Sequence, residues 1–135
     1  MASPTANELK RLPLFATLAG SDRDFFAKNL DEINFGPGEK LIAEGRSNHT
    51  FFVLLEGEVE VAVEGTPRSR LGPGDFFGEI SMDQHVPATA TVTSKTPVRA
   101  YVMSHTQFRV LKANDAVMLA LRTSMVERLL KNRQP

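Results

Sequence analysis

Residues 76–82, Phe-Phe-Gly-Glu-Ile-Ser-Met, combine a glycine and a carboxylate in a way that suits ligand binding. Gly78 has no side chain, so another group can approach its backbone closely. If residues 79–83 begin a helical turn, their free N–H groups form an anion site. Glu79 only accepts hydrogen bonds when ionised, so it needs hydroxyl or N–H donors. The combination suits a sugar phosphate or a nucleotide, although a Gly-Glu pair also serves a plain turn and helix cap.

Catalytic and metal-binding patterns are weak in this chain. The three histidines are His49, His85 and His105. Their separation argues against a metal site and favours surface positions, with His85 close enough to the stretch above to touch a ligand. Glu79 and Asp83 are four residues apart, which is more typical of a solvated helical face than of an acid pair. Ser81 has no visible catalytic partners, so we predict neither catalysis nor a bound metal.

Composition excludes several classes of protein. The 135 residues carry 16 basic and 16 acidic side chains, so the chain lacks the basic surplus that direct DNA binding requires. The absence of cysteine excludes disulfides, thiolate metal sites and cysteine nucleophiles. No apolar run approaches the roughly 20 residues of a membrane span, and the N-terminus lacks an apolar signal core. We expect one cytoplasmic domain over residues 1–135, with no membrane contact.

The pattern along the chain indicates helices first and strands afterwards. Residues 8–32 are expected to form two short helices separated at Pro13, with a capping box at Ser21 and Asp24. Residues 33–103 are rich in glycine and proline, and their clearest β-type runs are KLIAE, TFFVLLE, EVEVAVE, TATVTS and VRAYVMS. In the run 58–64, valine and glutamate alternate as in a half-buried strand. Short strands at this spacing predict a sandwich or barrel, with a jelly roll foremost.

Residues 104–133 return to a helical period. Ser104 is expected to cap a short helix, and Asn114 or Asp115 a longer one. The apolar positions of the longer helix are Val117, Met118, Leu121, Met125, Leu129 and Leu130. They recur at steps of three and four residues, which fits either a lid over the β core or the seam of a homodimer. The predicted fold is α+β, mainly β.

The chain resembles the cyclic nucleotide-binding domain family, which includes the sensor domains of catabolite-activator-like regulators and protein kinase regulatory subunits. The matching segments are FGPGEKLIAEG at 35–45, FFVLLEGEVEV at 51–61, LGPGDFFGEISM at 71–82 and PATATV at 87–92. The glycines with the family's spacing are Gly38, Gly45, Gly57, Gly74 and Gly78. The resemblance implies an eight-stranded β roll flanked by N-terminal helices and a C-terminal lid helix. It also implies a phosphate-binding cassette at 76–92.

The resemblance further implies a ligand, cyclic AMP or cyclic GMP. Glu79 would accept hydrogen bonds from the ribose 2′-hydroxyl, and backbone N–H groups near Ile80 and Ser81 would bind the cyclic phosphate. Val61 and Leu71 would pack near the base. The full set of implied ligand-binding residues is Phe77, Gly78, Glu79, Ile80, Ser81, Ala88, Thr89, Val61 and Leu71.

Two cassette positions bear on affinity and selectivity. Where the family places an arginine after the proline, this chain has Ala88. That arginine neutralises the cyclic phosphate, and removing one partner of a buried charged pair costs roughly 2–5 kcal/mol, or about 30- to several-thousand-fold in affinity. Arg46 or Arg99 could reach in, but nothing in the sequence supports either. Thr89 stands where relatives that bind cyclic GMP often carry threonine, although threonine also suits a strand.

Three functions stay open at this stage. The first is a stand-alone regulatory module that binds a cyclic nucleotide weakly and signals to an unknown effector protein through its last helix. The second is a structural or protein-interaction module that kept the fold and lost the ligand. Ala88 favours the second, whereas Glu79 and the glycines favour the first. A third is the regulatory fragment of a longer transcription factor or enzyme, which the initial methionine and the lack of a trailing linker disfavour.

Overall fold

The computed structural model of the chain describes residues 9, 12–16, 18, 20–78 and 86–133. In chain order the elements in these ranges are α1 (Pro13–Ala16), α2 (Gly20–Asn29), β1 (Asp31–Phe35), β2 (Lys40–Ile42), β3 (Phe51–Glu56), β4 (Val59–Val63), β5 (Thr66–Leu71), β6 (Phe76–Phe77), β7 (Thr91–Ser94), β8 (Val98–Met103), α3 (His105–Lys112) and α4 (Asp115–Arg133). The strands form two antiparallel four-stranded sheets, ordered β1-β8-β3-β6 and β2-β7-β4-β5. The predicted α+β fold, an eight-stranded roll flanked by helices, is confirmed.

The central strand β3 is buried on both faces, which explains its unbroken apolar run. Phe51 and Val53 pack in a cluster with the helices, and the ring of Phe51 lies 5.0 Å from that of Phe108. Phe52 and Leu54, on the opposite face, pack in a second cluster that includes residues of the other sheet. The first sheet therefore lies between a helical layer and the second sheet, and each of its faces packs against one of them.

The N-terminal helices contribute to the helical cluster, although their bounds differ from the prediction. Phe26 and Leu30 are fully buried there, as expected. The helical region ends at Asn29 and β1 begins at Asp31, so the β roll starts earlier than predicted. Helix α2 already begins at Gly20, so Ser21 lies inside the helix and the predicted capping box is wrong.

The C-terminal helices begin at the expected caps. The Ser104 hydroxyl accepts a hydrogen bond from the Gln107 N–H, and the Gln107 side chain accepts one from the Ser104 N–H at 2.8 Å, so the cap of α3 is confirmed as a reciprocal capping box. Of the two residues proposed to cap α4, the structure favours Asn114, whose side-chain oxygen accepts from the Val117 N–H at 3.0 Å. These caps fix where each helix leaves the sheet.

Helix α4 has one buried and one exposed apolar face along its described part. Val117 and Leu121 are buried in the helical cluster, as the predicted stripe requires. Leu119, Val126 and Leu130 are 57–68% exposed, and their spacing places them on a common face. Leu130 thus lies on the solvent side, contrary to the predicted stripe. The side chains of Met125 and Leu129 lie outside the described residues, and both the lid and the homodimer stay predictions.

Each helix in the described ranges is too short or too polar to cross a bilayer.

Two glycine substitutions test how closely the β3–β4 turn approaches the segment that connects β7 to β8. Gly57 has a φ of 89°, and an added Cβ would lie 2.2 Å from the Pro97 carbonyl oxygen. Gly38 has a similar φ of 81° but open space around it. We expect Gly38→Ala to cost about 1–2 kcal/mol of unfolding free energy, and Gly57→Ala at least about 2 kcal/mol more. Urea unfolding of both variants measures this difference, and equal losses would contradict the close approach.

Candidate functional site

Both edges of the predicted cassette are described, but its centre is not. Phe76–Phe77 form β6, Gly78 follows, and the chain is described again from residue 86. The predicted ligand contacts Glu79, Ile80 and Ser81 lie outside the described residues, as do Asp83 and His85. Their roles stay predictions, and the site is built here from the residues on either side.

The β2–β3 loop, residues 43–50, contacts both edges of this stretch. The Asn48 side-chain amide donates to the carbonyl oxygens of Thr50 at 2.8 Å and Gly78 at 3.4 Å. On the other side, the Gly45 N–H donates to the Ala88 carbonyl at 2.8 Å, and the Ala88 N–H donates to the Arg46 carbonyl at 2.9 Å. One short loop therefore fixes where the cassette leaves β6 and where it returns to the roll.

Gly78 lies at a close approach between the cassette and the β2–β3 loop. Its φ is 97°, a conformation that favours glycine. An added Cβ would lie 2.6 Å from the Thr50 carbonyl oxygen and 3.1 Å from the Asn48 amide nitrogen. The close approach expected at Gly78 is thus made, in this structure, by the β2–β3 loop.

Phe77 is buried in the core. Its side chain is 2% exposed, and its ring stacks on that of Phe52 with centroids 4.7 Å apart. The ring thereby anchors β6 against β3, with which it pairs. Any contact of Phe77 with a ligand stays a prediction, and the described packing gives its side chain a structural role.

Four of the predicted ligand contacts belong to one apolar cluster, and Phe77 is one of them. Val61 and Ala88 are 7% and 6% exposed, and the half-buried Leu71 packs against the same cluster. Thr89 is exposed beside them. The β roll therefore brings together the apolar residues that the resemblance placed near the base and the position that usually carries the cation. An anion bound beside Ala88 would need a counter-charge from another residue, because an unpaired anion is costly to bury in apolar surroundings.

Arg99, one of two arginines considered as a replacement cation, has its charge engaged elsewhere. Its guanidinium forms a two-pronged ion pair with Glu32, at 3.0 and 3.1 Å, and reaches Glu56 at 2.7 Å. The hydrogen bond from Arg99 lowers the pKa of the Glu32 carboxyl, and the same bond raises the pKa of Arg99. This ion pair ties β1 and β3 across β8 and leaves Arg99 poorly placed to serve the cassette.

Two histidines expected to be scattered are close together. His49 Nδ1 and His105 Nε2 lie 3.4 Å apart, with ring centroids separated by 5.6 Å. The contact connects the β2–β3 loop to the first residue of α3. Within the ranges that the structure describes, no group of three or more metal-ligating side chains is found.

Sequence reasoning missed Asn48, whose amide links the loop to Gly78. The sequence offered only a weak signal for this link, namely that Asn48 is a polar residue three positions after Gly45 in the segment between two strands. Bonds between irregular segments leave no periodic pattern, so the link becomes visible only in the folded chain.

Comparison with known proteins identifies the family. The profile described as "Cyclic nucleotide-binding domain" matches residues 32–115. This chain belongs to the cyclic nucleotide-binding domain family. The cAMP-dependent protein kinase regulatory subunits of Emericella nidulans and Pyricularia oryzae are 34% and 33% identical to it over 76% and 78% of this chain. It spans only about a quarter of their length, 26% and 27%. The domain is thus similar to regulatory, not catalytic, proteins.

Solved structures share the fold. They include cAMP-bound PfPKA-R (141–441), with a TM-score of 0.85 and 20% identity over 93% of this chain and 44% of that one. The regulatory subunit of a cAMP-independent protein kinase A from Trypanosoma cruzi, bound to guanosine, has a TM-score of 0.79 and 23% identity over 87% of this chain and 43% of that one. At such identities the likeness establishes the β roll with its flanking helices.

The Arg99–Glu32 pair generates a pH prediction. Because the folded-state pKa of Glu32 is lowered, its contribution is present above the unfolded-state pKa and lost as pH falls through the folded-state value. At pH 7 we expect Glu32→Gln to lower the unfolding free energy by about 0.5–1 kcal/mol, since the pair is partly exposed.

Urea unfolding of this variant and of the parent chain between pH 7 and pH 3 measures the effect. The difference between them should shrink on the acid side. Glu58→Gln is the matched control, because Glu58 lies 3.7 Å from Arg70 with both side chains about half exposed. A Glu32→Gln difference that stays constant with pH would contradict the assigned ion pair.

Proposed function

We propose that this domain is a regulatory module that binds cyclic AMP or cyclic GMP with lowered affinity and signals to an effector protein through α4. The observation that carries the proposal is Ala88, which lies in the apolar cluster with Val61 and is bonded to the β2–β3 loop on both its backbone groups. The backbone contacts at the edges of the cassette are present, whereas the methyl group of Ala88 replaces the arginine that relatives usually carry.

The names of the relatives support the ligand and the effector class. The E. nidulans relative is a regulatory subunit of a cAMP-dependent protein kinase, so cyclic AMP is the first ligand to test and a protein kinase the first effector. Thr89, exposed at the edge of the cluster, keeps cyclic GMP as the second ligand. The expected cytoplasmic location, the absence of catalysis and the absence of direct DNA binding stay predictions.

A protein-interaction module without a ligand is the second candidate function. The exposed face of α4, formed by Leu119, Val126 and Leu130, favours this alternative, because such apolar faces mark interaction sites. The same face would serve the predicted homodimer. The two functions differ in whether a cyclic nucleotide binds at all.

Titration calorimetry with cyclic AMP and cyclic GMP distinguishes them. We expect saturable but weak binding by the natural chain. Ala88→Arg should tighten it by about 100-fold or more, because it restores the cation to the phosphate. Ala88→Met is the matched control, since it adds length without charge and should not tighten binding.

Thermal unfolding of each variant shows whether the larger side chain is accepted at a position that is 6% exposed. A folded Ala88→Arg variant that binds no better than Ala88→Met would contradict the missing-charge account. No binding at millimolar ligand by either the natural chain or a folded Ala88→Arg variant would favour the interaction module.

A further inference from the structure

We propose that Arg46 supplies a positive charge to the ligand's cyclic phosphate, in partial replacement of the arginine that Ala88 displaces. The inference rests on the proposed function, and it names the residue that would recognise the anion. The cation would thus come from the β2–β3 loop instead of from the cassette.

The backbone places Arg46 directly against Ala88. The Ala88 N–H donates to the Arg46 carbonyl at 2.9 Å, and the Ala88 carbonyl accepts from the neighbouring Gly45 N–H at 2.8 Å. The backbones of Arg46 and Ala88 are therefore in direct hydrogen-bonded contact, although the two segments form no regular strand pair. An extended arginine side chain is longer than such a contact. A guanidinium from position 46 is therefore long enough to reach a ligand bound beside Ala88 from the solvent side.

The guanidinium of Arg46 is available. Its side chain is exposed, and no carboxylate or carbonyl within the described ranges accepts a hydrogen bond from it. Arg99 is paired with Glu32 and Glu56, and Arg23 donates to the Leu18 carbonyl at 2.6 Å. Within the described ranges the charge of Arg46 is thus unpaired and can face a ligand.

The acidic residue closest to Arg46 in the β2–β3 loop is also engaged. The Glu44 carboxylate accepts a hydrogen bond from the Glu64 N–H at 2.9 Å, at the β4–β5 turn. That bond ties Glu44 to the second sheet, and among the described residues no ion pair joins Glu44 to Arg46.

The solvent exposure of Arg46 limits how much affinity its charge can supply. A guanidinium that stays in contact with solvent forms a weaker, salt-screened pair than a buried one. Arg46 would therefore recover only part of the affinity lost with the cassette arginine, in keeping with a weak but specific response to a charged ligand. Removing its charge should cost about 3- to 5-fold in affinity.

A double-mutant cycle tests this assignment. Calorimetry compares the full chain with Arg46→Gln, Ala88→Arg and the double variant, using cyclic AMP, cyclic GMP and the uncharged nucleoside adenosine. We expect Arg46→Gln to weaken cyclic nucleotide binding by about 3- to 5-fold, increasingly at low salt, and to leave adenosine binding unchanged. In the Ala88→Arg background the same substitution should change affinity less than about twofold, because a buried cation already pairs with the phosphate.

Arg109→Gln is the matched control, since Arg109 is an exposed arginine on α3 and its loss changes net charge equally. Equal effects of Arg46→Gln and Arg109→Gln on cyclic nucleotide binding, or an equal effect of Arg46→Gln on adenosine and on cyclic AMP, would overturn the role of Arg46 while leaving the proposed function intact. Failure of both the natural chain and a folded Ala88→Arg variant to bind either cyclic nucleotide would instead overturn the proposed function, and the role of Arg46 with it.

Discussion

The backbone hydrogen bonds between the β2–β3 loop and Ala88 are the constraint on which the site depends. They join two segments that belong to neither a helix nor a regular strand pair, and Asn48 adds a third bond to Gly78 at the opposite edge. Because backbone groups removed from water must be paired, the loop and the cassette edges satisfy one another. A displacement of either segment would therefore disturb the hydrogen bonds of the other, so a binding site in the cassette would be coupled to the roll.

The connection continues from the roll to the helices. Strand β3 follows the β2–β3 loop and is buried on both faces, with Phe51 against the helical layer and Phe52 against the ring of Phe77. The contact between His49 and His105 joins the same loop to the start of α3. Packed interiors respond to small displacements as units. Contacts thus run from the cassette edges to α3 by two short routes and, through the buried Val117 and Leu121, on to α4.

The sequence predicts the parts of this arrangement that repeat, and misses those that depend on distant neighbours. Alternation and apolar runs indicate five strands, and the caps of α3 and α4 follow from Ser104 and Asn114. Strand β5 is not predicted from the sequence because it contains Pro67 and two arginines, which an edge strand tolerates. Strands β1 and β6 are also not predicted, because β1 begins with two acidic residues and β6 has only two residues. At the site, the family pattern identifies position 88, whereas the neighbourhood of Arg46 and Ala88 arises only from folding.

The exchange of a cassette cation for Ala88 also changes the ligand-free state. An arginine among Val61, Ala90 and Val92 would lose hydration there, and without a phosphate it would have no partner to offset that loss. Alanine avoids this cost and keeps the packing apolar, so under the proposed function the ligand-free domain would be more stable while the bound state would lack a strong contact. Both effects would move the proposed binding equilibrium toward the ligand-free form. A cation placed on the solvent side, at position 46, restores attraction for an anion without the burial cost, because its charge stays hydrated until the ligand arrives.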